Sequence, residues 1–109
     1  MEGALMSPGR SRNEVVVVMW RDIPAQVNGQ SGRDRHQVTL AARFQRAIDR
    51  AKRKARIVTA HEDVAQWRRT SSPCDGDVVA AAEAAARDLA RQYPEERLGK
   101  IAFNGGFEP

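Results

Sequence analysis

Cysteine is nearly missing from this 109-residue chain: Cys74 stands alone. No internal disulfide can form, and a reducing, cytoplasmic setting is the expected one. Asp75 beside it disfavours a thiolate, which argues against a nucleophile. Histidine is almost as scarce, with only His36 and His61. His61-Glu-Asp63 offers three adjacent residues that point in different directions on a helix, so no metal site and no cofactor is expected. Long apolar runs are missing too. Nothing approaches the ~18 residues of a membrane span, and Met1 to Arg12 lacks the apolar centre of a signal peptide. There are no paired carboxylates, no serine–histidine set and no dinucleotide fingerprint. Gly105-Gly106 has no strand-loop-helix frame around it. A non-catalytic protein is therefore expected, one that at most lends residues to a shared active site.

Bulky aliphatic residues are few. Leu, Ile, Val and Phe number 21, while alanine alone supplies 17 residues. A core built from these is thin. A partner or a homo-oligomer covering apolar surface would reinforce it.

Positive charge, by contrast, is present and concentrated. The chain carries +4 overall, and its sequence pI is near 10.0. Arginine outnumbers lysine 15 to 3. Arginine and alanine both have GC-rich codons, so codon bias explains part of the excess. Residues 33–56 hold nine Arg or Lys against Asp34 and Asp49, a local +7. On a helix, Arg43, Arg46, Arg50 and Arg53 fall on one ridge beside the apolar stripe. Such a ridge suits an acidic protein partner, a phosphate backbone, or simply water. No aromatic residue interleaves it for base stacking, so nucleic acid is the second choice.

The organising stretch is Glu14 to Val27. Val15 to Met19 are apolar at every position, and their stiff χ1 favours a strand apolar on both faces, hence covered on both. Pro24 ends it near Arg21 to Ile23, and Ala25 to Gln30 forms a second strand. Gly29 to Gln37 reads as a loop. Leu40, Phe44, Ala47, Ile48, Ala51 and Ala55 then predict an amphipathic helix over 38–56, lying on the valine strand. Thr59-Ala-His-Glu62 matches a capping box opening a second helix, 60–69, anchored by Val64 and Trp67. Asp75 or Asp77 caps a third over 77–93, whose buried arc is Val78, Val79, Ala82, Ala85, Ala86, Leu89 and Tyr93. Glu83, Arg87 and Arg91 stand four apart opposite that arc, an ion-pair ladder. Leu98 to Phe103 suggests a turn and an edge strand. The architecture predicted is α+β: a small two- or three-stranded sheet with three helices, one domain over 14–109 behind a disordered lead of 1–13.

At the strand's exit, Trp20-Arg21-Asp22 is a second candidate site. Arg21 and Asp22 are expected to point to opposite faces there. Arg21 has the fork to hold a carboxylate or phosphate, with Trp20 as an apolar wall. Structurally, the same charges can instead satisfy backbone groups, with Trp20 in the core.

These residues also carry a resemblance. Val-Met-Trp-Arg-Asp-Ile-Pro-Ala-Gln-Val (18–27), Arg43-Phe-Gln-Arg-Ala-Ile-Asp49 and Trp67-Arg68 resemble the small bacterial "virulence factor" domain family, which also occurs as a module of conserved virulence factor C. The chain departs from the pattern at Lys52-Arg-Lys54. The resemblance implies a bacterial protein of undefined biochemistry, often encoded beside corrinoid-dependent methyl-transfer proteins, and hence an accessory role.

Overall fold

The computed structural model describes residues 13–109; of the expected lead 1–13, residues 1–12 lie outside the described residues, and Asn13 is not disordered but opens the first strand. The elements are β1 (Asn13–Trp20), β2 (Ile23–Ser31), β3 (Asp34–Thr39), α1 (Ala42–Ala55), α2 (Ala60–Val64), β4 (Trp67–Pro73), α3 (Val78–Gln92) and α4 (Glu95–Phe103). The fold is α+β, with four strands and four helices among the described residues, where fewer of each were expected.

The valine run is the inner strand of an antiparallel sheet of order β3-β2-β1-β4. Val15 and Val16 project to opposite faces, and both are buried. Val17, Val18 and Met19 are half-buried. Asn28, paired with Val16 across the ladder, is fully buried. The β1–β2 register shifts between Val18 and Met19, where Ala25 has no opposite residue. This bulge sits next to Pro24, which has no N–H to give a ladder. Beyond it Trp20 faces Ile23, and both join Val15, Val27, Phe44, Ile48, Leu98 and Ile101 in the core.

Two segments expected as loop and helix end are strands: 34–37 was expected as loop and 38–39 as the start of the first helix, while 67–69 was expected as the end of the second helix and 70–73 as the stretch where it stops. Asp34–Thr39 pairs with β2 from Asp34↔Ser31 to Thr39↔Gln26. Trp67–Pro73 pairs with β1 from Trp67↔Trp20 to Pro73↔Glu14. All seven residues of β4 are exposed, so its side chains carry no core pattern. The hydrogen bonds of β1 define it. Helix α2 is consequently a single short segment ending at Val64, which is exposed rather than anchoring.

Helix α1 buries Phe44, Ala47, Ile48 and Ala51. It packs mainly on α4 and also meets β2, whereas α3 is the helix that lies on β1, β2 and β3. The expected turn and edge strand at 98–103 is helical. Glu95 and Glu96 occupy its positive end, and Leu98, Ile101 and Ala102 recur at helical spacing on its buried face. Asp77 caps α3 by accepting from the Val79 N–H at 2.9 Å. Only Ala82 of the predicted arc is fully buried; Val79 is exposed. Instead of the expected ladder, Arg91 pairs with Asp88 and Glu83 faces His36.

Close approach of α3 to the sheet depends on Gly29. A Cβ there would lie 2.6 Å from the Val78 carbonyl oxygen. Gly29→Ala is expected to destabilise the domain by about 1–3 kcal/mol through overpacking against backbone. A urea midpoint unchanged from wild type would contradict this contact.

Candidate functional site

Trp20 ends β1, and Arg21-Asp22 forms the two-residue turn into β2, so the two charges sit in a turn rather than along a strand. Arg21 adopts φ +52°, a left-handed backbone that disfavours a branched Cβ. Its Nε donates to Gln66 Oε1 at 2.9 Å and its Nη1 to the Gly105 carbonyl at 2.8 Å. The guanidinium lies 5.1 Å from the Trp20 ring centroid and 4.5 Å from that of Phe107. Asp22 is held by the same C-terminal segment. Its N–H donates to the Gly106 carbonyl, and its Oδ2 accepts from the Glu108 N–H, both at 2.8 Å. Gly106 presses on Trp20 so closely that a Cβ would sit 2.7 Å from Trp20 Cζ3. Residues 105–108 thus close over the turn, and the polar groups of Arg21 and Asp22 satisfy the chain itself.

A carboxylate weighed from the sequence only as a metal ligand ties this corner together. Asp63 Oδ1 accepts from the Trp20 indole at 2.9 Å and meets Lys52 Nζ at 3.0 Å; Oδ2 accepts from the Trp67 indole at 3.3 Å. Partial burial pushes the Asp63 carboxyl up, but the hydrogen bonds from Lys52, Trp67 and Trp20 outweigh it and hold the group below its ordinary value. The capping box that starts α2, with Thr59 accepting from Glu62, places Asp63 in the first turn, aimed at both indoles.

The predicted basic ridge divides. Arg43 is used internally: Nε donates to the Tyr93 carbonyl at 3.2 Å and Nη2 to the Ala90 carbonyl at 2.9 Å. It thereby satisfies carbonyls left over at the end of α3. Arg46, Arg50 and Arg53 are exposed. Beside them runs α4, whose outer face was missed because this segment read as a strand. Pro94 before Glu95-Glu96, with Lys100 in the last turn, is the helix signature that would have found it. Arg46 Nη2 lies 3.7 Å from Glu95 Oε2. Lys54 Nζ stands 4.1 Å over the ring of Phe103, which is 73% exposed. Glu96, Gly99, Lys100, Phe103, Asn104 and Pro109 line an open groove of about 480 Å³. The two predicted sites are therefore separate: one turned inward under the chain's own C-terminal segment, the other facing outward along α1 and α4.

Among the described residues, no group of three or more His, Cys, Asp or Glu is placed to hold a metal ion. Cys74 is free and half-buried. Among the same residues, no helix is long and apolar enough to cross a membrane.

Fold and site together define a small α+β domain with an inward-closed Trp-Arg-Asp turn and a cationic outer helix face. The family model described as "Virulence factor" matches residues 18–102, more than half of the chain, and the chain belongs to that family. Neither the curated proteins nor the solved structures gave a match.

Two predictions follow from this geometry. Asp63→Asn is expected to cost about 1–3 kcal/mol in urea unfolding, since it weakens acceptance from two indoles and a lysine. Because its folded pKa is lowered, Asp63 stabilises the fold fully above its ordinary value of 3.8, and this contribution fades as pH falls through the folded value. The variant should accordingly lose less stability than wild type between pH 6 and pH 2.5, and parallel pH profiles would contradict the assignment. Gly99→Ala, at a helix-interior position where a Cβ meets nothing nearer than Arg50 Nη1 at 4.0 Å, should raise stability by about 0.5–1 kcal/mol. A lowered urea midpoint would show a hidden packing role.

Proposed function

We propose that this domain is a non-catalytic accessory module that binds an acidic protein through the outer side of α1. One observation carries the reading: Arg46, Arg50 and Arg53 line up in solvent on a rigid helix. Among the described residues the one ion pair on this row is Arg46–Glu95, between side chains 60% and 80% exposed, and such a pair contributes little. The row is thus a cationic surface whose charge the domain itself barely neutralises. The resemblance to a family encoded beside corrinoid-dependent methyl-transfer proteins makes an acidic protein of that setting the first partner to try.

Nucleic acid is the second reading, carried by the same guanidinium row. No aromatic side chain stands among Arg46, Arg50 and Arg53 to stack a base, which ranks it second. If each of the row's three exposed guanidiniums neutralised one phosphate, log K against log[salt] would fall with a slope of about −2.7 on duplex DNA.

Charge reversal decides between these. The double variant Arg50→Glu, Arg53→Glu changes exposed residues and should leave stability within about 0.5 kcal/mol of wild type. It is expected to lose an acidic protein that the wild-type chain retains from its native lysate. Equal retention by both chains would contradict the proposal. Tight duplex binding with the steep salt slope, abolished by the same variant, would establish the rival.

A further inference from the structure

We infer that the groove on α4 is the apolar half of a composite docking site, and that its occupant is an acidic amphipathic helix of another protein. This rests on the cationic-ridge reading above and adds to it the shape and chemistry of what binds.

Three observations converge on the groove. Phe103 is a large apolar side chain left 73% exposed, with Lys54 over its ring at 4.1 Å. One helical turn before it stands Gly99, in the interior of a nine-residue helix where glycine is the poorest choice short of proline. Gly29 and Gly106 each have a neighbour that a Cβ would strike, at 2.6 and 2.7 Å. At Gly99 nothing among the described residues, its chain neighbours and its own helix backbone aside, comes closer than the Arg50 guanidinium, at 4.0 Å. The missing side chain therefore leaves space outside the domain's own packing, which is where a glycine permits close approach of a second backbone. Third, positive charge outnumbers negative around the groove: Lys100 on its own wall stands 4.0 Å from Glu96, while Arg50 above Gly99 and Lys54 above Phe103 add two more cations.

A helix laid in this groove would put one leucine-sized side chain beside Phe103, bring its backbone down on Gly99, and offer carboxylates to Arg50, Lys54 and Lys100. This is the helix-in-groove mode of recognition, with apolar anchors flanked by complementary charge. A second copy of this chain fits badly, since a two-fold contact over the same surface would set Arg50, Lys54 and Lys100 against themselves. A nucleic acid strand could stack one base on Phe103, but no second aromatic lines the groove to carry the next one.

Two labelled 18-residue helical peptides, both rich in Glu, test this with the full chain. One carries leucines at i, i+3 and i+7, the other alanines at those positions. Fluorescence anisotropy in low salt should give at least tenfold tighter binding for the leucine peptide. Phe103→Ala and Gly99→Leu should each reduce it to the level of the alanine peptide while leaving the alanine peptide's weak binding unchanged. Arg50→Glu with Arg53→Glu should weaken both peptides. Equal binding of the two peptides, or the same loss for both in Phe103→Ala, overturns the groove and leaves the ridge standing. No binding of either peptide, or binding indifferent to the charge reversal, overturns the ridge as well. Duplex DNA binding more tightly than both peptides overturns the protein occupant.

Discussion

One carboxylate joins three parts of this fold. Asp63 receives hydrogen bonds from the last residue of β1 and the first residue of β4, and an ammonium from α1. Trp20 and Trp67 are partners across the ladder, so both indoles reach the same acceptor only if the β1–β4 register is correct. Lys52 lies 5.8 and 5.5 Å from the two ring centroids, which adds cation–π attraction to the ion pair. The corner matters because β4 is exposed along its whole length and has little apolar burial of its own to hold it. It also fixes one end of α1, the helix that carries the exposed arginines.

From that corner outward, the charged residues divide by what they are bonded to. Arg21, Asp22 and Arg43 all satisfy backbone or side-chain groups of the same chain. Among the described residues, Arg46, Arg50 and Arg53 satisfy almost nothing. A guanidinium that holds a carbonyl in place is part of the architecture, and moving it exposes that carbonyl. One left in water costs the fold little and remains available to a partner. The α4 groove lies on the second kind of surface because the buried stripes of α1 and α4 face each other and leave their outer faces side by side.

How much of this could be read beforehand depended on whether a segment's own side chains specify its structure. The valine run, the stripe of α1, the Thr59 capping box and the Asp77 cap each carry a local signal, and each was legible. β3 and β4 carry none. Asp34–Thr39 is polar apart from Val38, Trp67–Pro73 is exposed throughout, and both are strands because β2 and β1 offer them backbone partners. Trp67 read as the anchor of a helix because an aromatic at that spacing fits either period, and only its pairing with Trp20 decides. At the site, the arginine row was visible as a helical ridge, but the use of Arg43 at the end of α3 requires tertiary contact. The closure of residues 105–108 over Arg21 joins positions more than eighty apart, beyond any local pattern. Phe103 was lost with α4 itself.

The central claim is that recognition falls on the outward α1–α4 face and leaves the Trp-Arg-Asp turn to architecture. Amide hydrogen exchange of the full chain, free and saturated with the leucine-bearing acidic peptide, tests it most directly. New protection is expected to be confined to residues 46–54 and 96–103, with 20–22 and 105–108 unchanged. Protection centred on Arg21 and residues 105–108, with α1 and α4 exchanging as in the free chain, would contradict it.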